Sequence, residues 1–131
     1  TCLVIPIRTK WLDLILEGKK TVEVRKICPR TFVSKILFYE SGTGKITAKC
    51  ELTEIIGTCF ETLIKDPIYV QEKTGLTVAE LSKYAGSKSW LTLLHLCHAV
   101  RLENPLSLID LDLKRAPQSY VYKAIEYSEI I

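Results

Sequence analysis

Gly18-Lys19-Lys20-Thr21-Val22-Glu23-Val24-Arg25 is the stretch on which the reading of this chain turns. It follows Lys10–Glu17, where Trp11, Leu12, Ile15 and Leu16 recur at helical spacing and Asp13 and Glu17 fall on the other side. Gly18 supplies the stop, because a residue without Cβ adopts the left-handed C-terminal conformation at least cost. Thr21–Arg25 then alternates, with Thr21, Glu23 and Arg25 on one face and Val22 and Val24 on the other. A two-turn helix therefore hands over to a strand, and Lys20 sits at the junction, where it can lean toward Glu23. So short a helix must be held by packing against a sheet.

Outward from this segment the pattern is mostly β. Cys2–Ile7 is an apolar, β-branched run and reads as a first strand, with Thr9 as the expected N-cap of the helix. Lys35–Glu40 and Lys45–Thr53 read as two strands joined by the turn Ser41-Gly-Thr-Gly44, with Ile46, Ala48, Cys50 and Leu52 facing inward. The middle, about 60–86, changes character. It carries Pro67, Gly75 and a capping box, Thr77-Val-Ala-Glu80, which starts a helix to about Tyr84. Trp90–Glu103 returns to strand character, although its leucines also allow a helix, and Asn104–Pro105 is expected to break it. Tyr120-Val-Tyr122 reads as a closing strand. This order points to an α+β fold with a mixed barrel rather than to a parallel βαβ sheet.

Composition sets the limits. The 131 residues, 47% apolar and 25% charged, suit one globular domain over 1–131. Apolar runs fall far short of the roughly 20 residues of a membrane span, and no signal-peptide pattern opens the chain. The expectation is a cytoplasmic protein without a membrane partner. A net charge of +3 is too small to announce a nucleic-acid binder, but Lys19–Arg30 carries five basic residues against one acid, Glu23. A solvated face is the plain reading of such a run. The five cysteines are odd in number and none are spaced C-x-x-C, which argues against a disulfide framework and a zinc ribbon. His95 and Cys97 would share a strand face with His98 on the other, so no metal and no cofactor is expected.

Gly18–Arg25 fits G-x-K-x-x-E-x-R at a helix-to-strand junction, and so resembles the motif of the ASCH domain, a branch of the PUA-like superfamily. Trp11–Glu17 looks like that family's first helix, Lys35–Ser41 like its following strand, and Arg115-Ala-Pro-Gln-Ser-Tyr120 like the end of many phage and bacterial members. The resemblance implies a PUA-like mixed β-barrel of five to six strands with flanking helices, and a basic cleft beside the first helix. It implies a ligand that is RNA or a modified nucleotide or nucleoside. Some members are amidohydrolases of N4-acylated cytidine nucleosides that use a lysine, a threonine and a glutamate. The lysine matches Lys20, whereas the threonine position holds Glu23 and the glutamate position holds Thr74. Thr21 and Glu72 are the nearest substitutes.

The chemistry of the segment is consistent with either role. Burial beside other cations lowers a lysine pKa and favours a neutral amine, Glu23 opposes this, and Arg25 can clamp a phosphate bidentately. Lys19, Lys20, Glu23 and Arg25 are the primary ligand-binding candidates, with Lys20 and Glu23 the catalytic ones. Tyr39, Ser41, Gln118 and Tyr120 are candidates for lining the cleft, a tyrosine by stacking on a base, with a core position the equal alternative for Tyr39 and Tyr120, and Trp11 reads as a packing residue. Three functions follow: an RNA- or nucleotide-binding module, an amidohydrolase, or a protein-interaction domain.

Overall fold

In β1 (Cys2–Arg8), the residues Cys2, Leu3, Val4 and Ile5 have no solvent exposure at all. A strand covered on both faces reads as a continuous apolar run rather than an alternating one. The computed structural model describes residues 1–131. Its other strands are β2 (Val22–Arg25), β3 (Lys35–Ser41), β4 (Lys45–Cys59), β5 (Trp90–Ser107) and β6 (Val121–Lys123). They form one six-stranded sheet in the order β2-β5-β4-β3-β1-β6. β1 and β3 run parallel and every other neighbouring pair is antiparallel.

The helices are α1 (Thr9–Leu16), α2 (Phe60–Leu63), α3 (Pro67–Tyr69), which continues into a π-helical turn at Val70–Thr74, and α4 (Val78–Ala85). Leu12 and Ile15 bury the inner face of α1 against Leu3, Ile5, Ile36 and Phe38. Each such side chain, fully buried, stabilises by about 1.5–3 kcal/mol, enough to hold two turns that would not persist alone. Val22 and Val24 turn the other way, into a second core with Val70, Leu81 and Leu91 beneath the 60–86 excursion. A third core, with Val4, Leu37 and Leu102, lies under the C-terminal segment. The Thr77–Glu80 capping box is present in both directions. No helix is long and apolar enough to cross a membrane.

Four sequence expectations need correction. The sheet is not closed into a barrel: β2 and β6 stand at its two ends and do not pair. Both are short, four and three residues, and side chains rather than a ladder span the gap. The Tyr120 hydroxyl donates to the Ile27 carbonyl at 2.7 Å and the Tyr122 hydroxyl to the Thr31 carbonyl at 3.0 Å. Thr9 is not the N-cap. Arg8 occupies that position without a side-chain cap, and the Thr9 hydroxyl donates to Glu40 Oε2 at 2.6 Å.

Asn104–Pro105 does not end β5, which runs to Ser107. The β4–β5 register jumps from Ile46↔Leu106 to Ala48↔Arg101, so Pro105 falls in an irregularity where no ladder N–H is needed. A second jump, from Lys49↔Val100 to Glu51↔Cys97, sets His98 and Ala99 against Cys50 alone. His98 adopts φ +53° in this bulge, which turns its ring toward Cys97 and Glu51 instead of away from them.

Candidate functional site

Gly18, at φ +77°, ends α1 with its N–H donating to the Ile15 carbonyl at 3.1 Å. The next two N–H groups, of Lys19 and Lys20, both donate to the Leu14 carbonyl. This tight wrap turns Lys20 inward, leaving it 2% exposed. Its ammonium donates to the carbonyls of Val22 at 3.0 Å and Thr74 at 2.5 Å, and lies 3.2 Å from Glu23 Oε1. A protonated lysine has three donors, and all three are engaged.

Glu23 is nearly as buried, at 7% exposure, and its second oxygen accepts from Arg25 Nε at 2.8 Å. Arg25 Nη2 donates onward to the Pro6 carbonyl at 2.5 Å. One chain of charged contacts thus joins the excursion, the helix–strand junction, β2 and β1. Burial holds the Lys20 pKa below the ordinary lysine value, while the charge and hydrogen bond of Glu23 push it back up and Arg25 adds to the lowering. The three acceptors around Nζ favour the charged form, so Lys20 is built in as an ammonium.

These three side chains line one side of a cleft of about 710 Å³, a volume typical of small-ligand sites. Trp11 from α1 and Tyr84 from α4 supply aromatic walls. Five basic side chains, Arg8, Lys20, Arg25, Lys26 and Lys83, face it against two acidic ones, Glu23 and Glu80. The Lys26 ammonium lies 5.1 Å from the Tyr84 ring centre and that of Lys20 5.5 Å from Trp11. Glu23 is already shared between Lys20 and Arg25, and Glu80 between the Thr77 cap and Lys10. The cleft therefore presents net positive charge beside aromatic surface.

The ASCH domain model matches residues 5–105. This chain belongs to the ASCH domain family. The structure of the ASCH protein from Zymomonas mobilis has a TM-score of 0.81 to this ASCH domain at 22% identity, covering 98% of this chain and 91% of that one. A tyrosine-to-phenylalanine mutant of the same protein matches equally, at 0.81 and 22%, covering 98% and 94%. The N-terminal domain of McrB from Staphylothermus marinus has a TM-score of 0.52 at 12% identity, covering 84% of this chain and 78% of that one. At these identities the likeness is one of fold. No curated protein matches the chain in sequence.

Within this ASCH domain the residues singled out from sequence divide cleanly. Lys20, Glu23, Arg25 and Ser41 line the cleft together. Lys19 does not: it is exposed and pairs with Glu17 at 3.0 Å. Thr21 is exposed and lines a separate depression, and Glu72 is exposed on the π-helical turn. Tyr39 is buried in the third core, at the register position next to the one that would face α1. Gln118 is exposed and outside the lining, and the Tyr120 hydroxyl is spent on Ile27. Thr74 contributes its carbonyl to Lys20, while its hydroxyl donates to the Val70 carbonyl at 2.5 Å.

Sequence reasoning missed Arg8, Lys26, Lys83 and Tyr84; Trp11, read as a packing residue, does pack against the first and second cores and walls the cleft as well. One signal was available: Glu80, Lys83 and Tyr84 recur at i, i+3, i+4 on the polar side of the capped helix. Nothing local says that this face looks at β2.

Proposed function

We propose that this ASCH domain binds single-stranded RNA, or one nucleotide unit of it, in the cleft between α1, β2 and α4. The observation that carries the reading is the pairing of aromatic walls, Trp11 and Tyr84, with cations on the same concave surface. Base stacking on an aromatic ring is worth about 1–3 kcal/mol and tolerates any base. Arg25 is oriented by Glu23 and Pro6, which leaves Nη1 without a protein partner and free to take a phosphate oxygen. Arg8 and Lys83 extend the positive charge along the rim.

The test is a labelled single-stranded oligonucleotide titrated by fluorescence anisotropy across a salt series. Affinity is expected to fall with salt and to drop in Arg25→Ala and Tyr84→Ala. Binding unchanged in both variants would sink the proposal.

A second reading, hydrolysis of N4-acylated cytidine, is favoured by the burial of Lys20 against Glu23. It is weaker, because each Lys20 donor already has an acceptor and the family's threonine and glutamate positions hold Glu23 and Thr74. Release of cytidine from N4-acetylcytidine, abolished by Lys20→Ala, would bring it forward.

A further inference from the structure

On the β4–β5 bulge, Glu51, Cys97 and His98 bring a carboxylate oxygen, a thiol sulfur and an imidazole nitrogen within 4.8 Å of one another. We propose that these three side chains form a binding site for a late first-row divalent ion of the zinc type, separate from the cleft. Cys97 Sγ lies 3.6 Å from His98 Nδ1. An ion with Zn–S of about 2.3 Å and Zn–N of about 2.0–2.1 Å holds its sulfur and nitrogen about 3.5 Å apart at the tetrahedral angle. The two donors are already at the separation an ion would impose.

Glu51 Oε2 sits closer to the same nitrogen, at 2.5 Å, as a hydrogen-bond partner. An ion replaces the shared proton, and the carboxylate needs to withdraw by less than about 1 Å to reach metal–oxygen distance. As the metal–sulfur bond forms, the Cys97 thiol proton passes to solvent, and the imidazole binds as the neutral ring with its proton on Nε2. One thiolate and one carboxylate then balance the dication. The sulfur and imidazole donors select a borderline-soft ion over magnesium or calcium.

The backbone is arranged to make this triad. Strict alternation would send His98 to the face opposite Cys97, and only the bulge with His98 at φ +53° brings the imidazole, carboxylate and thiol together. Left-handed backbone is uncommon at any residue other than glycine, although histidine adopts it more readily than most. His98 is 78% exposed at its side chain, so an ion reaches the site from solvent. Cys97 and His98 also line a depression of about 290 Å³ that holds Lys20 and Thr21. With three protein donors the site keeps a fourth position for water or for a ligand in that depression. Lys35 shares Glu51 through the other carboxylate oxygen and fixes its orientation.

Cobalt(II) titrated into the reduced protein tests the assignment. The expected result is one equivalent of cobalt producing a thiolate-to-metal charge-transfer band with the strong visible bands of a four-coordinate ion, both bleached by zinc(II). Cys97→Ser removes the charge-transfer band, and Glu51→Gln and His98→Asn each weaken binding by about tenfold or more. Cys28→Ser, which alters the only cysteine that is exposed rather than buried or half-buried, leaves the spectrum unchanged. Circular dichroism of the Glu51 and His98 variants, both changed at accessible side chains, confirms that the fold is kept. A wild-type protein with no charge-transfer band overturns the proposal, as does a band that survives Cys97→Ser or disappears in Cys28→Ser.

Discussion

The Lys20 ammonium donates to the Thr74 carbonyl at 2.5 Å across 54 positions of sequence. Beside it the Thr21 N–H donates to the Lys73 carbonyl at 2.9 Å. These two bonds fasten the end of the π-helical turn to the start of β2, and α4, with Lys83 and Tyr84, follows directly from that turn. The distance across the cleft is therefore set by the same lysine that holds Glu23 and, through it, Arg25. Lys20 acts here as a positioning group.

Replacing Lys20 by methionine keeps most of the volume but leaves Glu23 Oε1 and two carbonyls without their donor, with Arg25 still holding Oε2. Removing one side of a buried ion pair costs about 3–5 kcal/mol. Urea denaturation of Lys20→Met should show a loss of that order, and Lys20→Met combined with Glu23→Gln should recover part of it. A midpoint and slope equal to wild type in the single variant would mean that the ammonium is not structural.

Gly75 ends the π-helical turn at φ +74°, and a Cβ built there would lie 3.0 Å from Leu14 Cδ1 and 3.8 Å from Lys20 Cβ. Gly18, at φ +77°, has open space around the same position. Alanine at either glycine carries the left-handed cost of about 1–2 kcal/mol. Gly75→Ala also crowds Leu14, so its thermal midpoint should fall further than that of Gly18→Ala. Equal shifts would show that the Leu14 side chain yields freely.

What sequence could reveal follows from how far each feature reaches. The stop at Gly18, the alternation of Val22 and Val24 and the Thr77–Glu80 box are written within a few residues, and each is found where periodicity and capping chemistry put it. The convergence of Lys20, Glu23 and Arg25 was also legible, because a helix–strand junction constrains three nearby side chains. Tyr39 and Tyr120 were left between cleft and core, and the structure packs both into cores, because the layer a strand faces and the partner of a phenol are tertiary facts. The His98 bulge exists only in the mismatch between two strands, and neither strand records it alone. Barrel closure failed for a similar reason: short edge strands do not reveal whether their ends will meet.

Glu40 is a buried carboxylate that accepts from the Thr9 hydroxyl at 2.6 Å, the Thr47 hydroxyl at 2.7 Å and Arg101 Nη1 at 3.2 Å. The Thr9 bond, with those of Thr47 and Arg101, outweighs burial and holds its pKa below the ordinary glutamate value. A carboxyl depressed in the folded state contributes stability above its unfolded pKa and loses it as pH falls through the folded pKa. A hydrogen bond to a charged group is worth about 1.5–3 kcal/mol. Thr9→Val should lose that much at neutral pH, with the gap to wild type narrowing once acid protonates Glu40. Urea midpoints at neutral and strongly acid pH decide it, and a gap that stays constant would assign the loss to packing.

The binding proposal makes separable demands on charge and stacking. Each phosphate contact on a single strand contributes about 0.7 to the slope of log affinity against log salt. Arg8 and Lys83 line the cleft without an ion-pair partner in the protein. If both meet phosphates, Arg8→Ala with Lys83→Ala should flatten the slope by about 1.4. Tyr84→Ala should weaken binding by about 1–3 kcal/mol at every salt concentration, leaving the slope alone. Lys19→Ala serves as the control, since Lys19 is exposed, paired with Glu17 and outside the cleft. A slope that responds to Lys19 as strongly as to Arg8 and Lys83 would move the phosphate path off this surface. A Tyr84 effect that vanishes at high salt would make the ring a support for Lys26, whose ammonium it faces, rather than a platform for a base.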